Sequence, residues 1–192
     1  MEIKPNPNND RKVQLEKVNS RALGLLASVL KTSFLEAYRE EHSMENIEAY
    51  CDQHYTLEAL EKVIKDPAYD VYLAKKKGQD VAALVIYHRS CPLRPQVKAS
   101  ELKQLYVLSS QYGTGLGKHL MEKSFEIVRE GGGEWIWLCV SDRNYRAQRF
   151  YLKMNFEKIG KGPVLEVGTE KLPSSIMIRR LKREEFGRSK EG

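Results

Sequence analysis

Apolar residues recur every three or four positions in the first third of the chain, which is the spacing of an amphipathic helix. This stripe predicts a helix over about residues 20–41, and its members are Leu23, Leu26, Leu30, Phe34 and Tyr38. Ser43 and Thr56 stand where the N-caps of two further helices are expected, over about 44–53 and 56–65. The pattern therefore predicts three consecutive helices.

From about residue 70 onward, short runs rich in β-branched and aromatic residues predict strands. Two of them, over 71–75 and 81–88, flank Lys77–Asp80 and indicate a hairpin. Helices over about 115–130 and 144–154 separate the later strands, which favours an α/β sandwich around a mixed sheet. The other predicted strands cover about 13–18, 99–108, 134–140, 156–159, 163–167 and 175–181.

Composition is that of an ordinary globular domain. The chain has 192 residues, 41% hydrophobic and 30% charged, which fits one domain. Three widely spaced cysteines (Cys51, Cys91 and Cys139) argue against disulfides or a zinc ribbon and favour a reducing cytoplasm. The four histidines form no His-Glu-x-x-His pattern, so no metal is expected. Neither a secretory signal nor the roughly 18-residue apolar run of a membrane span is present, so no membrane partner is expected.

Charge is unevenly distributed. The net charge is +6, but Glu36–Asp66 holds nine acids against three bases, so the remaining chain carries +12. A basic body can attract nucleic acid, a membrane surface or a phosphorylated cofactor, and the acidic segment can attract a cation. Alternatively, both are solvated faces. No helix combines a basic stripe with interleaved aromatic residues, which argues against nucleic-acid binding.

A glycine-rich loop joins the strand Leu102–Leu108 to a helix. Its three glycines, Gly113, Gly115 and Gly117, permit sharp turns and close approach of a ligand. Free N–H groups at the start of the helix would then form a pyrophosphate cradle, the alternative being a tight structural turn. The loop is not a Walker loop, because Lys118 is followed by His119 rather than a hydroxyl residue. It is not a Rossmann loop either, since it lies past the middle of the chain and Leu120 replaces the third glycine.

The predicted helix over 144–154 carries one apolar face, formed by Ala147, Phe150, Tyr151 and Met154. From spacing alone, Tyr151 is a core aromatic and Asn144 a helix cap. Asn155 follows the helix where a left-handed residue is expected.

Together these segments resemble the GNAT acetyltransferase superfamily over about residues 12–181. The motifs that carry the resemblance are the strand end Gln104–Val107, the glycine loop opening a helix, and the Asn-x-x-Ala-x-x-Phe-Tyr pattern over 144–151. Ser43–Ile47 before Tyr50, Gly115–Leu120 and Ile136–Leu138 are similar to the PaiA-type spermidine/spermine N-acetyltransferases.

The resemblance implies a largely antiparallel mixed sheet of about seven strands with helices on both faces. It also implies one domain over 12–181, between a flexible segment 1–11 and a polar tail 182–192. Two positions depart from the family pattern. Tyr112 stands where the loop usually has Gln or Arg, with Gln111 one residue early, and Asn155 replaces a glycine.

The family's co-substrate is acetyl-CoA, which would meet a small-molecule primary amine in one ternary complex. The strand backbone at Leu105, Tyr106 and Val107 would pair with the pantetheine arm and hold the thioester oxygen. The implied pyrophosphate loop consists of Tyr112, Gly113, Thr114, Gly115, Leu116, Gly117 and Lys118. Asn144, Arg146 and Lys153 are implied contacts to pantetheine and the adenosine phosphates.

The resemblance also assigns the chemistry. Tyr151 would protonate the departing CoA thiolate. Glu101, acting through water, is a candidate base for the amine, the alternative being a solvated residue at the start of its strand. Glu40 and Glu41, in the acidic segment, are candidate contacts for a cationic acceptor.

The best interpretation is a polyamine acetyltransferase acting on spermidine or spermine. One alternative acceptor is an amino group of a protein, a peptide or an antibiotic. Another alternative is a non-catalytic CoA-binding regulator, but such proteins commonly lack the catalytic tyrosine, and Tyr151 is present. Dimers are frequent in this superfamily, so a homodimer is one expected assembly.

Overall fold

A seven-stranded sheet forms the centre of the computed structural model, which describes residues 13–181. The expected terminal segments 1–11 and 182–192 lie outside the described residues. The strand order is β1-β2-β3-β4-β5-β9-β6, and β7 and β8 pair separately. The strands are β1 Gln14–Lys17, β2 Tyr69–Lys76, β3 Gln79–Tyr87, β4 Ala99–Val107, β5 Trp135–Ser141, β6 Glu157–Lys161, β7 Leu165–Val167, β8 Glu170–Leu172 and β9 Ser174–Arg180.

Helices cover both faces of this sheet, as predicted. The helices are α1 Leu23–Tyr38, α2 Met44–His54, α3 Leu57–Lys65, α4 Leu116–Glu130 and α5 Tyr145–Lys153. Helices α1–α3 pack with Val71 and Val85 in one buried cluster, whereas α4 and α5 pack with Ile86, Ile136 and Leu138 in another. Strand β3 is buried over Val81–Ile86 because both of its faces are covered. Within 13–181, no helix is long and apolar enough to cross a membrane.

Side-chain caps begin the helices where the sequence predicted them. Ser43 accepts a hydrogen bond from the N–H of Asn46, and Thr56 accepts one from Ala59. The first helix is shorter than the predicted 20–41. It begins with a 3₁₀ turn and ends at Tyr38, whose carbonyl accepts the N–H groups of Glu41 and His42. His42 follows this turn and is buried, with its Nδ1 3.0 Å from Oε2 of Glu170.

The region predicted as a strand over 163–167 does not join the main sheet. Strand β7 pairs with β8, which the sequence did not predict, in a hairpin that turns at Gly168 with a φ of 59°. Asn46 holds the hairpin, because its side chain accepts the N–H of Thr169 and donates to Glu170, both at 3.0 Å. The hairpin thus packs on the α1–α3 side of the sheet.

Strands β4 and β5 are the parallel pair in an otherwise antiparallel sheet. They pair only between Ala99–Glu101 and Trp135–Trp137. Beyond these residues β4 continues to Val107 and β5 to Ser141 without pairing with each other. This separation is called the β4–β5 opening below, and it determines where the candidate site lies.

Asn155 has the predicted left-handed conformation, with a φ of 58°. We expect Asn155→Ala to lower the free energy of unfolding by about 1 kcal/mol, because a Cβ-bearing residue without a compact polar side chain is disfavoured there. Asn155→Gly should leave stability unchanged or raise it. Urea unfolding of both variants checks this, and equal destabilisation by Ala and Gly would show that lost side-chain contacts matter instead.

Candidate active site

The first side of the β4–β5 opening is the end of β4. Leu105, Tyr106 and Val107 pair with Leu84, Ala83 and Ala82 of β3 on one edge. Their other edge lies beyond the last residue paired with β5, so its backbone groups are directed into the opening. Such an edge can bind an extended amide-containing ligand as an added strand would.

The loop after β4 leads directly into α4. Gly113 and Gly115 have φ values of 77° and 84°, which glycine adopts without strain. Gly115 precedes α4, and no side chain caps this helix, so its first N–H groups are available to an anion. A Cβ on Gly117 would make an ordinary 3.8 Å contact with the ring of Phe150. Lys118 is exposed, and its Nζ lies 3.8 Å from Oε1 of Glu122.

Tyr112, which departs from the family pattern, is paired with a predicted ligand-contacting residue. The guanidinium of Arg146 lies 3.3 Å from the centre of the Tyr112 ring. Such a cation–π contact keeps a positive charge beside the glycine loop. The structure therefore brings Arg146 of α5 together with the loop, whereas Lys153, at the end of the same helix, is exposed and makes no side-chain contact with the loop among the described residues.

The second side of the opening is the start of α5. Asn144 caps this helix through Oδ1, which accepts the N–H of Ala147 at 3.0 Å, as predicted. The Asn144 side chain also lies near the hydroxyl of Tyr38 at the end of α1, and it lowers the pKa of that hydroxyl against the larger effect of burial. Gln148 donates to the carbonyls of Ser141 and Asp142, which fastens the first turn of α5 to the end of β5.

Tyr151 lies on the inner face of α5, in contact with the rings of Phe150 and Phe156. Burial raises the pKa of its hydroxyl above the usual range, and the nearby Tyr38 adds to this effect. Within residues 13–181 the hydroxyl has no hydrogen-bonding partner. A protonated hydroxyl in this environment can donate to a ligand.

A cluster of tyrosines adjoins Tyr151, and sequence reasoning missed it. The hydroxyl of Tyr55 accepts a hydrogen bond from Gln104 at 3.2 Å, and Tyr50 and Tyr106 lie near enough to contribute to its raised pKa. Burial raises the pKa of Tyr55 and Tyr106 well above the usual value, so both stay neutral. The available signal was the density of aromatic residues in the helical segment, which is equally typical of a core.

The sequence left open whether Glu101 is a catalytic base or a solvated residue at the start of its strand. The structure shows that it is not solvated. It is buried, and Arg89 Nε donates to its Oε2 at 2.7 Å. Lys103 Nζ lies 3.8 Å from Oε1. The guanidinium of Arg89 also lies about 5 Å from the ring centres of Tyr87 and Trp137. Arg89 thus provides the positive charge that a buried carboxylate requires.

Glu40 and Glu41 lie in the turn between α1 and α2, and both are exposed. Neither has an ion pair or side-chain hydrogen bond with another described residue. Glu41 lies near Tyr38 at the end of α1, because its backbone N–H donates to the Tyr38 carbonyl at 2.9 Å, and its carboxylate contributes, after burial, to a raised pKa of the Tyr38 hydroxyl. No group of three or more potential metal-ligating side chains occurs within residues 13–181.

The chain belongs to the GNAT acetyltransferase family, whose model matches residues 30–156. An uncharacterized N-acetyltransferase of Mycobacterium tuberculosis (strain ATCC 25618 / H37Rv) is 28% identical over 156 residues, which cover 81% of this chain and 96% of that protein. An uncharacterized N-acetyltransferase of Archaeoglobus fulgidus is 37% identical over 65 residues, 34% of this chain and 44% of that protein.

Solved structures share the fold. PaiA N-acetyltransferase from Thermoplasma acidophilum, in complex with coenzyme A, superposes with a TM-score of 0.72 at 19% identity, covering 88% of this chain and 99% of that one. A GCN5-related N-acetyltransferase from Rhodopseudomonas palustris gives 0.71 at 15% identity, covering 88% and 95%. Family and fold together define an acetyl-CoA-dependent N-acetyltransferase.

The Arg89–Glu101 pair makes a stability prediction. Arg89→Met leaves a buried carboxylate without its main partner, so we expect the free energy of unfolding to fall by about 2 kcal/mol. Loss of a fully buried partner would lower it further, but the Arg89 side chain is 42% exposed. Arg89→Met/Glu101→Gln should recover most of the loss because no unpaired charge remains. Exposed Arg149 provides the control, Arg149→Met. Urea unfolding measures all three, and equal losses in the two single variants would contradict the expectation.

Proposed function

We propose that this chain transfers the acetyl group of acetyl-CoA to a primary amine of a polyamine such as spermidine or spermine, with Tyr151 as the general acid. The observation that carries the proposal is the Tyr151 hydroxyl, which is held protonated by burial beside the β4–β5 opening and has no hydrogen-bonding partner among the described residues. A non-catalytic CoA-binding protein would not require such a group.

The residues around the opening fit the parts of acetyl-CoA. The free edge of Leu105–Val107 would pair with the amides of the pantetheine arm, and one of its N–H groups would hold the thioester oxygen. The pyrophosphate would bind the backbone of the loop 112–118 at the start of α4. Asn144, Arg146 and Lys153, on α5, would contact pantetheine and the adenosine phosphates.

In the transfer, the amine nitrogen forms a bond with the thioester carbon while the carbon–sulfur bond breaks. The amine nitrogen gives one proton to the base, the CoA sulfur gains one from Tyr151, and the resulting tyrosinate recovers a proton from water before the next turnover. Because burial raises the pKa of Tyr151, its hydroxyl stays protonated across the alkaline range in which a primary amine, with a pKa of about 10, loses its proton. The acid and the nucleophile are therefore available together.

Glu101 remains the candidate base, acting through a water molecule. Its carboxylate is fixed by Arg89 through one oxygen, Oε2, while Oε1 is 3.8 Å from Lys103. An amine or a water molecule near Oε1 would have to compete only with this longer contact.

The acceptor proposal depends on Glu40 and Glu41. They are exposed carboxylates without a cationic partner among the described residues, and Glu41 is close to Tyr38 beside the opening. A polyamine has further cationic amines that such carboxylates attract. The direct test is the release of CoA thiol from acetyl-CoA with spermidine, spermine, a monoamine and several N-terminal peptides. Preferential turnover of polyamines would support the proposal, and turnover of peptides alone would favour protein modification.

Tyr151→Phe should lower kcat about a hundredfold or more, because the sulfur loses its proton donor. The Kd of acetyl-CoA should change by less than about twofold, since the ring and its packing remain. Steady-state kinetics and calorimetry measure the two quantities. The matched control is Tyr145→Phe, in the first turn of the same helix, where the side chain is 69% exposed. Full activity of Tyr151→Phe would remove this residue from the mechanism.

Glu40→Lys/Glu41→Lys should raise the KM for spermidine about tenfold while changing the KM for a monoamine much less, because only the longer substrate has additional cations to repel. Glu58→Lys/Glu61→Lys, on α3, makes the same change of charge in the acidic segment and should have little effect. Initial-rate measurements with both acceptors check this. Equal increases for the two acceptors, or for the two double variants, would count against a local contact.

A further inference from the structure

The last turn of α1 is joined to the segment that follows β4. Glu36 Oε2 accepts a hydrogen bond from the backbone N–H of Ser109, and Oε1 accepts one from the Ser109 hydroxyl, each at 2.7 Å. Both bonds have a charged acceptor and are short, as charge-assisted hydrogen bonds are. Glu36 therefore holds the first residue of the 3₁₀ turn Ser109–Gln111, which leads into the glycine loop.

The same turn of α1 is also close to the other side of the β4–β5 opening. Tyr38 lies near the side chain of Asn144, the cap of α5, which lowers the pKa of the Tyr38 hydroxyl against the larger effect of burial. Residues two apart in a helix are about 200° apart around its axis, so Glu36 and Tyr38 point to nearly opposite sides. The end of α1 thus lies between the loop that follows β4 and the helix that follows β5.

Other contacts also restrain the loop: the N–H groups of Gln111 and Tyr112 donate to the carbonyls of Leu108 and Ser109, and the Arg146 guanidinium lies over the Tyr112 ring. Lys76 Nζ donates to Oε1 of Gln111 at 3.0 Å, and the hydroxyl of Thr114 donates to the Gln111 carbonyl at 2.8 Å. A Cβ on Gly113 or Gly115 would meet no atom within 4 Å, so open space adjoins both residues on that side. Ser109 is held by two hydrogen bonds from another element, so the position of the loop depends in part on this anchor.

We propose that Glu36 is a positioning residue for the acetyl-CoA loop, which it orders before the co-substrate binds by fixing Ser109. This inference rests on the proposed binding of the pyrophosphate at residues 112–118. A loop that is already ordered loses less conformational entropy on binding, and the affinity is correspondingly higher. Removing the anchor should therefore weaken binding although Glu36 need not touch the ligand.

The negative charge of Glu36, considered alone, predicts the opposite effect on the affinity for acetyl-CoA, so the two effects can be tested against each other. A carboxylate near a pyrophosphate site repels the ligand, so by charge alone its removal should tighten binding. Glu36→Gln removes the charge but retains the contact, since its amide can accept the Ser109 N–H and donate to the Ser109 hydroxyl. Glu36→Ala removes both the charge and the contact.

Calorimetric titration with acetyl-CoA compares these variants with the wild type. We expect Glu36→Ala to raise the Kd about tenfold, Ser109→Ala about threefold, and Glu36→Gln less than about threefold. The double variant Glu36→Ala/Ser109→Ala should bind acetyl-CoA no more weakly than Glu36→Ala alone, because both changes act on one contact. In kinetics, the KM for acetyl-CoA should rise with the Kd, whereas kcat and the KM for the amine stay within about twofold.

The control is Glu58→Ala, which removes an equal charge from an exposed ion pair with Lys62 on α3 and should bind acetyl-CoA like the wild type. Tighter binding by both Glu36 variants, or unchanged binding by Glu36→Ala, would overturn the positioning role. If Glu36→Ala fails to fold, the Kd of acetyl-CoA is compared between Ser109→Ala and the wild type. Ser109→Ala keeps the N–H contact and loses the hydroxyl contact, and an unchanged Kd would then overturn the positioning role. Failure of the wild type to bind acetyl-CoA would overturn both proposals, and binding without turnover of any amine would overturn only the proposed transfer.

Discussion

The short parallel pairing of β4 with β5 is the constraint on which the candidate site depends. Backbone N–H and C=O groups in a sheet need partners, and most interior strands obtain them on both edges. Here β5 stays paired with β9 along its whole length and β4 stays paired with β3, so each strand keeps one partner when the two separate after Glu101 and Trp137. The separation therefore leaves the sheet intact and provides a free edge of backbone at Leu105–Val107. The glycine loop and α5 follow these two strands directly, which is why Tyr112 and Arg146, 34 positions apart in sequence, meet at one opening.

The surroundings of the opening favour a neutral proton donor. Phe34, Tyr55 and Tyr106 pack together beside it, and burial keeps the phenols un-ionised. The Tyr55 hydroxyl accepts a hydrogen bond from Gln104, whereas the Tyr151 hydroxyl has no partner among the described residues. The same packing therefore gives neighbouring tyrosines different capacities: Tyr55 is hydrogen-bonded within the protein, and Tyr151 can donate to a ligand. The sequence did not distinguish these cases, because Tyr151 has the spacing of an ordinary core aromatic and Tyr55, the residue after α2, lies outside any periodic pattern.

The sequence predicted those features that are coded locally. Helix periodicity, the caps Ser43, Thr56 and Asn144, and the left-handed Asn155 each depend on residues within one or two turns, and the structure confirms them. Strand β8 was missed because three residues are too few to show alternation. The two contacts that most affect the site join distant residues: Glu101 pairs with Arg89, 12 positions away, and Glu36 binds Ser109, 73 positions away. No local pattern marks such partners, so the residues around the opening were predicted from the family resemblance, but the burial of Glu101 and the anchoring of the loop were not.

Helix α1 connects features that would otherwise be separate. Its last turn holds the loop through Glu36 and lies beside the cap of α5 at Tyr38, and the exposed carboxylates Glu40 and Glu41 follow directly after it. A ternary complex requires the thioester and the amine to be held at a fixed separation, since small displacements of reacting groups reduce the rate strongly. Helix α1 is one rigid element that contacts both sides of the opening and continues into the proposed acceptor residues. It can therefore meet this requirement with few contacts. The acidic segment thus has a structural role as well as a charge, because Glu36, its first member, is bound to the loop rather than exposed to a substrate.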